Sequence, residues 1–136
     1  MTTGVEETFL IGQPAPGADN RLLSSPAAGG DFEVMFEDDG TTGYFYALHN
    51  RPEPQLLDAL HVYNVADIAD REKPVTALII WNETEDAAAF ILNGYCHALY
   101  DFRQRAGFCR SAFPPRPEQP AARELTDELV DQYFAA

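Results

Sequence analysis

The stretch that decides the fold is FEVMFEDDGTTGYFYAL, residues 32–48. Phe32, Val34 and Phe36 stand at every second position, the period that is typical of a half-buried strand. The segment 38–43 follows with two glycines that can adopt the positive φ of a tight turn. The chain then returns with Tyr44, Tyr46 and Leu48 on one face. We therefore predict a β-hairpin here.

Further strands are predicted on both sides of this hairpin. Residues 56–65 fit a short helix through their leucines, but their alternation and their β-branched and aromatic content favour a strand. Asn93-Gly94 is a strong two-residue hairpin signal. In the strand after it, alternation places Cys96 with Ala98 on one face, and His97 with Asp101 on the other. The remaining predicted strands are 75–81, buried on both faces, 87–92, and a short edge strand over 108–113.

A C-terminal helix completes the prediction. Thr126 can cap its N-terminus, where Asp127 and Glu128 interact favourably with the helix dipole. Its apolar stripe consists of Leu125, Leu129, Val130, Tyr133 and Phe134. We predict an α+β fold: a meandering antiparallel sheet of about five to seven strands with this one C-terminal helix packed on it.

The chain of 136 residues is predicted to be a single domain over 1–136. Residues 1–31 are expected to be an irregular N-terminal segment with one possible short strand over 8–11, because glycine and proline interrupt any longer element. Residues 32–113 form the sheet in this prediction. Residues 114–136 provide a proline-rich link and the helix.

The charge is strongly acidic and unevenly distributed. The net charge is −13, of which residues 1–94 contribute −12 and residues 124–136 contribute −4. Such a chain is a poor partner for nucleic acid or an anionic membrane, which both require Lys and Arg. Residues 95–123 carry +3. We expect their arginines to pair with carboxylates within the protein, and an anion pocket around Arg110 is the alternative. These arginines are Arg103, Arg105, Arg110, Arg116 and Arg123.

The sequence favours a cytoplasmic protein. The first residues are acidic where a signal peptide would be basic, and the longest apolar run, 77–81, is too short to cross a bilayer. Two cysteines, Cys96 and Cys109, are too few for a disulfide framework, although a single disulfide stays open. We expect free thiols in a reducing compartment.

Three carboxylates, Glu37, Asp38 and Asp39, lie beside the hairpin glycines. Carboxylates on a bent backbone can bind a divalent cation, because such ions take several oxygen ligands. The spacing does not fit an EF-hand loop. The preferred interpretation is a turn whose Asp side chains bond the local backbone.

Histidine and cysteine residues provide the other candidate site. His61, His97, Asp101, Cys109 and Arg110 fall on predicted neighbouring strands and could bind a small ligand. A zinc site would need three or four such side chains to converge. A nucleophilic thiol would need a histidine within hydrogen-bond reach. Of the two cysteines, Cys109 has the more electropositive sequence neighbourhood, which favours the reactive thiolate. We predict neither a metal nor a cofactor.

Residues 32–115 resemble a family of small, stand-alone bacterial proteins of unknown function. The resemblance rests on FEDDGTTGYFYA (36–47), LDALHVYNV (57–65), NGYCHA (93–98), DF (101–102), GFCR (107–110) and FP (113–114). It implies a bacterial cytoplasmic protein and carries no activity or site residues. The family would place a tryptophan in its C-terminal tail, whereas Trp81 is the only tryptophan here.

Two functions from different classes follow. The acidity and the absence of catalytic spacing favour a non-catalytic interaction module that binds a basic protein partner, as an immunity protein or inhibitor does. The alternative is a small-ligand or metal-binding protein, or an enzyme, that uses the His/Asp/Cys/Arg cluster. A flat sheet could also form a homodimer.

Overall fold

The computed structural model describes residues 2–115 and 123–134. Within these residues the chain forms two antiparallel sheets and one α-helix. A 3₁₀ turn covers Val65–Asp67. The elements are β1 (Thr2–Phe9), β2 (Arg21–Pro26), β3 (Phe32–Asp38), β4 (Thr42–His49), β5 (Gln55–Asn64), β6 (Val75–Trp81), β7 (Ala87–Leu92), β8 (Tyr95–Asp101), β9 (Ala106–Cys109) and α1 (Asp127–Phe134).

The prediction of one sheet with five to seven strands is wrong in its layout, while the antiparallel strands and the C-terminal helix are confirmed. The five-stranded sheet has the order β1-β6-β7-β8-β9, and the four-stranded sheet has the order β2-β3-β4-β5. The chain crosses from one sheet to the other after β1 and again after β5. Each of the two sheets therefore buries one of its faces against the other sheet. A single sheet with one short helix could not bury its apolar side chains in this way.

The N-terminal segment also differs from the prediction, because it contains two full strands instead of one short one. β1 pairs with β6 from Thr2 to Phe9, and β2 pairs with β3 from Arg21 to Pro26. Arg21 of β2 bonds Glu7 of β1 with an Nη1–Oε1 distance of 2.8 Å. These strands gain their stability from pairing with distant partners, which the local composition does not reveal.

The hairpin 32–48 and the strand over residues 56–65 are confirmed. Phe36 pairs with Phe45 across the first, and β5 spans Gln55–Asn64. Asn93 and Gly94 both adopt positive φ, as their hairpin turn requires. The predicted edge strand at 108–113 is shorter and begins earlier, as β9 at Ala106. Most of the predicted proline-rich link, residues 116–122, lies outside the described residues.

Stacked aromatic rings join the two sheets. The Phe36 ring of β3 lies 4.2 Å from that of Phe90 of β7, with an interplanar angle of 10°. Phe45 contacts the same Phe90 ring, and Trp81 donates its indole N–H to Ser25 Oγ at 2.9 Å. The tryptophan, 1% exposed, is thus a core residue whose polar atom is satisfied from the other sheet.

The helix covers the outer face of the five-stranded sheet and forms a second core. Leu125, 2% exposed, leads the chain into this core. This explains why β7 is buried on both faces. The members are Ile80, Ala89, Cys96, Leu99, Phe108 and Leu125, with Leu129, Val130, Tyr133 and Phe134 packed against them.

A β-bulge overturns the predicted faces of β8. Phe90 pairs with Ala98, but the next residue of β7, Ile91, pairs with Cys96, so His97 is the extra residue. Cys96 therefore packs with Leu99 under the helix, whereas Ala98 faces the other sheet. Simple alternation had placed Cys96 and Ala98 together.

A buried ion pair ties the two sheets to the segment that leads into α1. Arg123 and Asp58 are 1% and 5% exposed. Their contact is bidentate, with Nη2–Oδ1 and Nη1–Oδ2 distances of 2.6 Å and 2.9 Å. Arg123 also donates to the carbonyl of Gly107 in β9 at 3.4 Å. β5, β9 and the chain before the helix thus meet at one point.

Removing one charge of this pair leaves the other buried without compensation. We expect Arg123→Met or Asp58→Asn to lower the free energy of unfolding by about 3 kcal/mol, measured by urea denaturation. The control is Arg51→Met, since the Arg51–Asp31 pair is exposed on both sides and its loss should cost at most about 1 kcal/mol. Equal effects of Arg123→Met and Arg51→Met would contradict this account.

Candidate functional site

The turn carboxylates Glu37, Asp38 and Asp39 all accept hydrogen bonds from other groups of the chain. Glu37 accepts hydrogen bonds from Asn20 Nδ2 at 2.7 Å and from the Tyr46 hydroxyl at 2.8 Å. Asp39 accepts the backbone N–H groups of Thr41 and Thr42. These turn contacts lower the pKa of Asp39. This is the interpretation that the sequence favoured over a cation site.

Asp38 is the most buried of the three, with 1% exposure. Its oxygens accept the Tyr63 hydroxyl at 2.6 Å, the Gly12 N–H at 2.7 Å and the Gly40 N–H at 2.8 Å. Burial, followed by the bond to Asp38, raises the pKa of Tyr63. Asp38 therefore links the hairpin turn to β5 and to the loop after β1.

His97 and Asp101 do not form a common site, although they lie on the same strand. His97 lines a shallow pocket together with Ile11, Val75 and Leu92. Asp101 instead accepts the Tyr133 hydroxyl of α1 at 2.5 Å and the backbone N–H groups of Arg103 and Gln104. Its role is to fix the helix and the turn after β8.

The two cysteines are free and buried. Burial raises the pKa of Cys96 to about 11, which keeps this thiol protonated and unreactive at neutral pH. Cys109, which sequence reasoning singled out for reactivity, is 0% exposed. Its Sγ lies 3.3 Å from the carbonyl of Phe113.

Arg110 is occupied by contacts within the chain. It donates to the carbonyl of Cys96 at 2.8 Å and to Asp127 Oδ1 of α1 at 2.8 Å. Its guanidinium lies 4.3 Å from the ring centroid of Tyr95. The predicted pairing with carboxylates of the protein is thus confirmed for Arg110 and Arg123, while Arg116 lies outside the described residues.

The predicted His/Cys group is dispersed. In residues 2–115 and 123–134, no three His, Cys, Asp or Glu side chains lie close enough together to hold a metal ion. His61 and Cys109 come near a shared group, the Ser111 hydroxyl, at 3.1 Å and 3.7 Å. Arg110 lies beside His97, whose carbonyl accepts the Arg110 N–H at 3.3 Å.

A chain of hydrogen bonds around His61 was missed by the sequence reasoning. Asp67 Oδ2 accepts Asn64 Nδ2 at 3.2 Å, Asn64 Oδ1 lies 3.0 Å from His61 Nε2, and His61 Nδ1 lies 3.1 Å from Ser111 Oγ. The spacing His61-x-x-Asn64 is visible in the sequence. Ser111 is fifty residues away and joins them only because its segment bonds the β5 backbone, where the His61 N–H donates to the Phe113 carbonyl at 3.0 Å.

The outer face of the four-stranded sheet is covered by no helix among the described residues. The inward side chains Val34, Phe36 and Phe45 are fully buried, so their neighbours along the strands point outward. Leu22 and Leu56 are 53% and 60% exposed. We call this surface the open face; its residues are Leu22, Glu33, Met35, Glu37, Tyr44, Tyr46, Leu48 and Leu56.

The fold and these surfaces define a small two-sheet protein whose helix covers one outer sheet face, while the described residues leave the other uncovered. Residues 11–134 match a family of uncharacterized proteins conserved in bacteria, DUF2251, and the chain belongs to that family. The family resemblance predicted from the sequence is thereby confirmed.

A relative in Haemophilus influenzae, itself described as an uncharacterized protein, is 39% identical over 107 residues. The match covers 76% of this chain and 66% of the relative, so the chain spans about two thirds of the relative's length. No solved structure matches the chain significantly. Among the described residues, no helix is long and apolar enough to span a membrane.

The environment of His97 predicts a pH effect on stability. Burial, assisted by the charge of Arg110, lowers the pKa of His97 to about 4. The unfolded chain therefore binds more protons at this residue between pH 6.5 and pH 4, and stability falls as the pH falls through that window. Between pH 6.5 and pH 4, the free energy of unfolding of His97→Gln should fall by about 2 kcal/mol less than that of the wild type. Urea denaturation at several pH values measures this difference. Parallel pH profiles for the two proteins would contradict the assignment, and their difference at pH 7.5 gives the packing effect of the substitution.

Proposed function

We propose that this protein is an interaction module that acts without catalysis and binds a basic protein partner through the open face. The observation that carries the proposal is the open face itself, where exposed leucines and two tyrosines lie among carboxylates. The part of the chain that the structure describes leaves this surface accessible, whereas α1 covers the corresponding face of the other sheet.

The composition of the open face suits protein binding. Tyr44 and Tyr46 stack with ring centroids 6.2 Å apart, and the hydroxyl of Tyr46 is fixed by Glu37. Tyrosine supplies contact area at low entropic cost and is enriched at the energetic centres of interfaces. The exposed leucines add apolar area around the tyrosines. Glu33, opposite Leu48 in the ladder, adds a second carboxylate.

Electrostatics supports a basic partner. All four strands of this sheet lie within residues 1–94, which carry −12 of the net charge. Such a field accelerates encounter with a cationic surface and repels acidic proteins and nucleic acid. An immunity-like or inhibitor-like role against a cationic protein in the cytoplasm follows from this chemistry, and free buried thiols accord with that compartment.

Photo-crosslinking tests the proposal. Benzoylphenylalanine replaces Leu56 on the open face or, as the control, Thr76, an exposed position of β6. In extract of the native bacterium we expect a crosslink from position 56 alone, to a protein with an excess of Lys and Arg. Its yield should fall steeply from about 50 mM to about 500 mM salt.

A matched pair of charge reversals completes this test. Glu33→Lys on the open face should reduce the crosslink yield at least about threefold, whereas Glu6→Lys on β1 should leave it unchanged. Crosslinking to an acidic protein, or equally from both positions, contradicts the proposal. An adduct of twice the chain mass would assign the open face to a homodimer instead.

The hydrogen-bond chain Asn64–His61–Ser111 favours a second candidate function, acyl-ester hydrolysis. The Ser111 oxygen would attack the ester carbonyl carbon while His61 Nδ1 takes its proton and returns it to the departing alcohol, and water would then release the acyl group from serine. We rank it second because Ser111 is exposed, so water is not excluded from the pair. A fluorophosphonate probe that labels Ser111 in the wild type but not in His61→Gln would support hydrolysis, and an unlabelled protein would exclude this mechanism.

A further inference from the structure

We infer that a cup at the edge of the open face binds the guanidinium group of an arginine side chain from the basic partner. The cup is lined by Tyr44, His61, Asn64, Ser111 and Phe113 and has a volume of about 410 Å³. This inference rests on the proposed function and names the side chain that the partner inserts.

The walls of the cup are aromatic. The rings of Tyr44 and Phe113 have centroids 5.6 Å and 6.1 Å from that of His61, and both stand nearly perpendicular to the imidazole, at 75° and 85°. Phe113 is apolar but 49% exposed, and it sits beside β5, where its carbonyl accepts the His61 N–H. Aromatic ring faces carry negative charge density and attract cations.

The hydrogen-bond chain fixes the orientation of the His61 ring. Asp67 can only accept, so Asn64 directs its Nδ2 donor towards Asp67 and its Oδ1 acceptor towards His61. His61 Nε2 then donates to Asn64 Oδ1, and Nδ1 faces the Ser111 hydroxyl. The imidazole is thereby held in place between the rings of Tyr44 and Phe113.

Carboxylates lie near the cup. Among the described residues no Lys or Arg lines it, Asp67 bonds Asn64, and Glu37 is opposite Tyr44 in the ladder. A guanidinium fits better than an ammonium, because it is planar, more weakly hydrated, stacks on aromatic rings and can still donate in its plane to oxygens such as Ser111 Oγ. Arginine is also enriched at the energetic centres of interfaces.

Backbone amide NMR tests the cup without the partner. The probe is N-acetyl-arginine methylamide, and its control is the citrulline analogue, which has the same shape without the charge. We expect the arginine probe to shift the amides of His61, Asn64 and Phe113, with a dissociation constant at least about threefold lower than that of citrulline. Phe113→Leu should weaken arginine binding about threefold, Phe113→Tyr should retain it, and Thr76→Ala, at an exposed position of β6 in the other sheet, should have no effect.

Several outcomes overturn the inference. These are equal binding of arginine and citrulline, equal or tighter binding of the lysine analogue, or shifts that map away from the cup. The crosslinking experiment remains independent: a salt-sensitive crosslink from position 56 together with no arginine binding would refute the cup alone. Arginine binding with no basic partner crosslinked would refute the proposed function.

Discussion

The structure depends on one buried ion pair, Asp58 with Arg123. A carboxylate and a guanidinium removed from water are stable only when their geometry is matched, and here both oxygens meet both terminal nitrogens. The pair also requires a close approach of β9. A Cβ atom at Gly107 would lie 2.5 Å from Asp58 Oδ2, so only glycine leaves room for the carboxylate.

This constraint decides which surfaces the protein covers. Arg123 holds the chain at the junction of β5 and β9, and Leu125 and α1 then follow over the five-stranded sheet. Arg110 and Tyr133 add ties to the same helix, through Asp127 and Asp101. The four-stranded sheet receives no such cover from the described residues, and its open face keeps the exposed leucines and the tyrosine pair. Arginines of this acidic chain thus hold its helix α1 in place, and carboxylates stay on the open face.

Local elements could be predicted from the sequence, whereas their assembly could not. The hairpin at 32–48, the Asn93-Gly94 turn and the helix stripe each follow from short-range periodicity and turn chemistry. The pairing of β1 with β6 joins residues that lie more than sixty positions apart, and nothing in β1 indicates its partner. The bulge at His97 moved Cys96 to the helix side, which strict alternation cannot anticipate. The cup around His61 depends on Ser111 and Phe113, which reach it through tertiary contacts alone.

The protein thus has one sheet face covered by α1 and one sheet face that the described residues leave uncovered. If the Asp58–Arg123 pair positions the segment that leads into α1, then loss of the pair should release α1 while the four-stranded sheet stays folded. Methyl NMR of the folded Arg123→Met variant measures this directly, with Leu129 and Val130 reporting on the helix and Val34 and Ala47 on the four-stranded sheet. We expect the first two to move to solvent-exposed shifts while the last two keep their native shifts. Native shifts at Leu129 and Val130 in the variant would contradict the account.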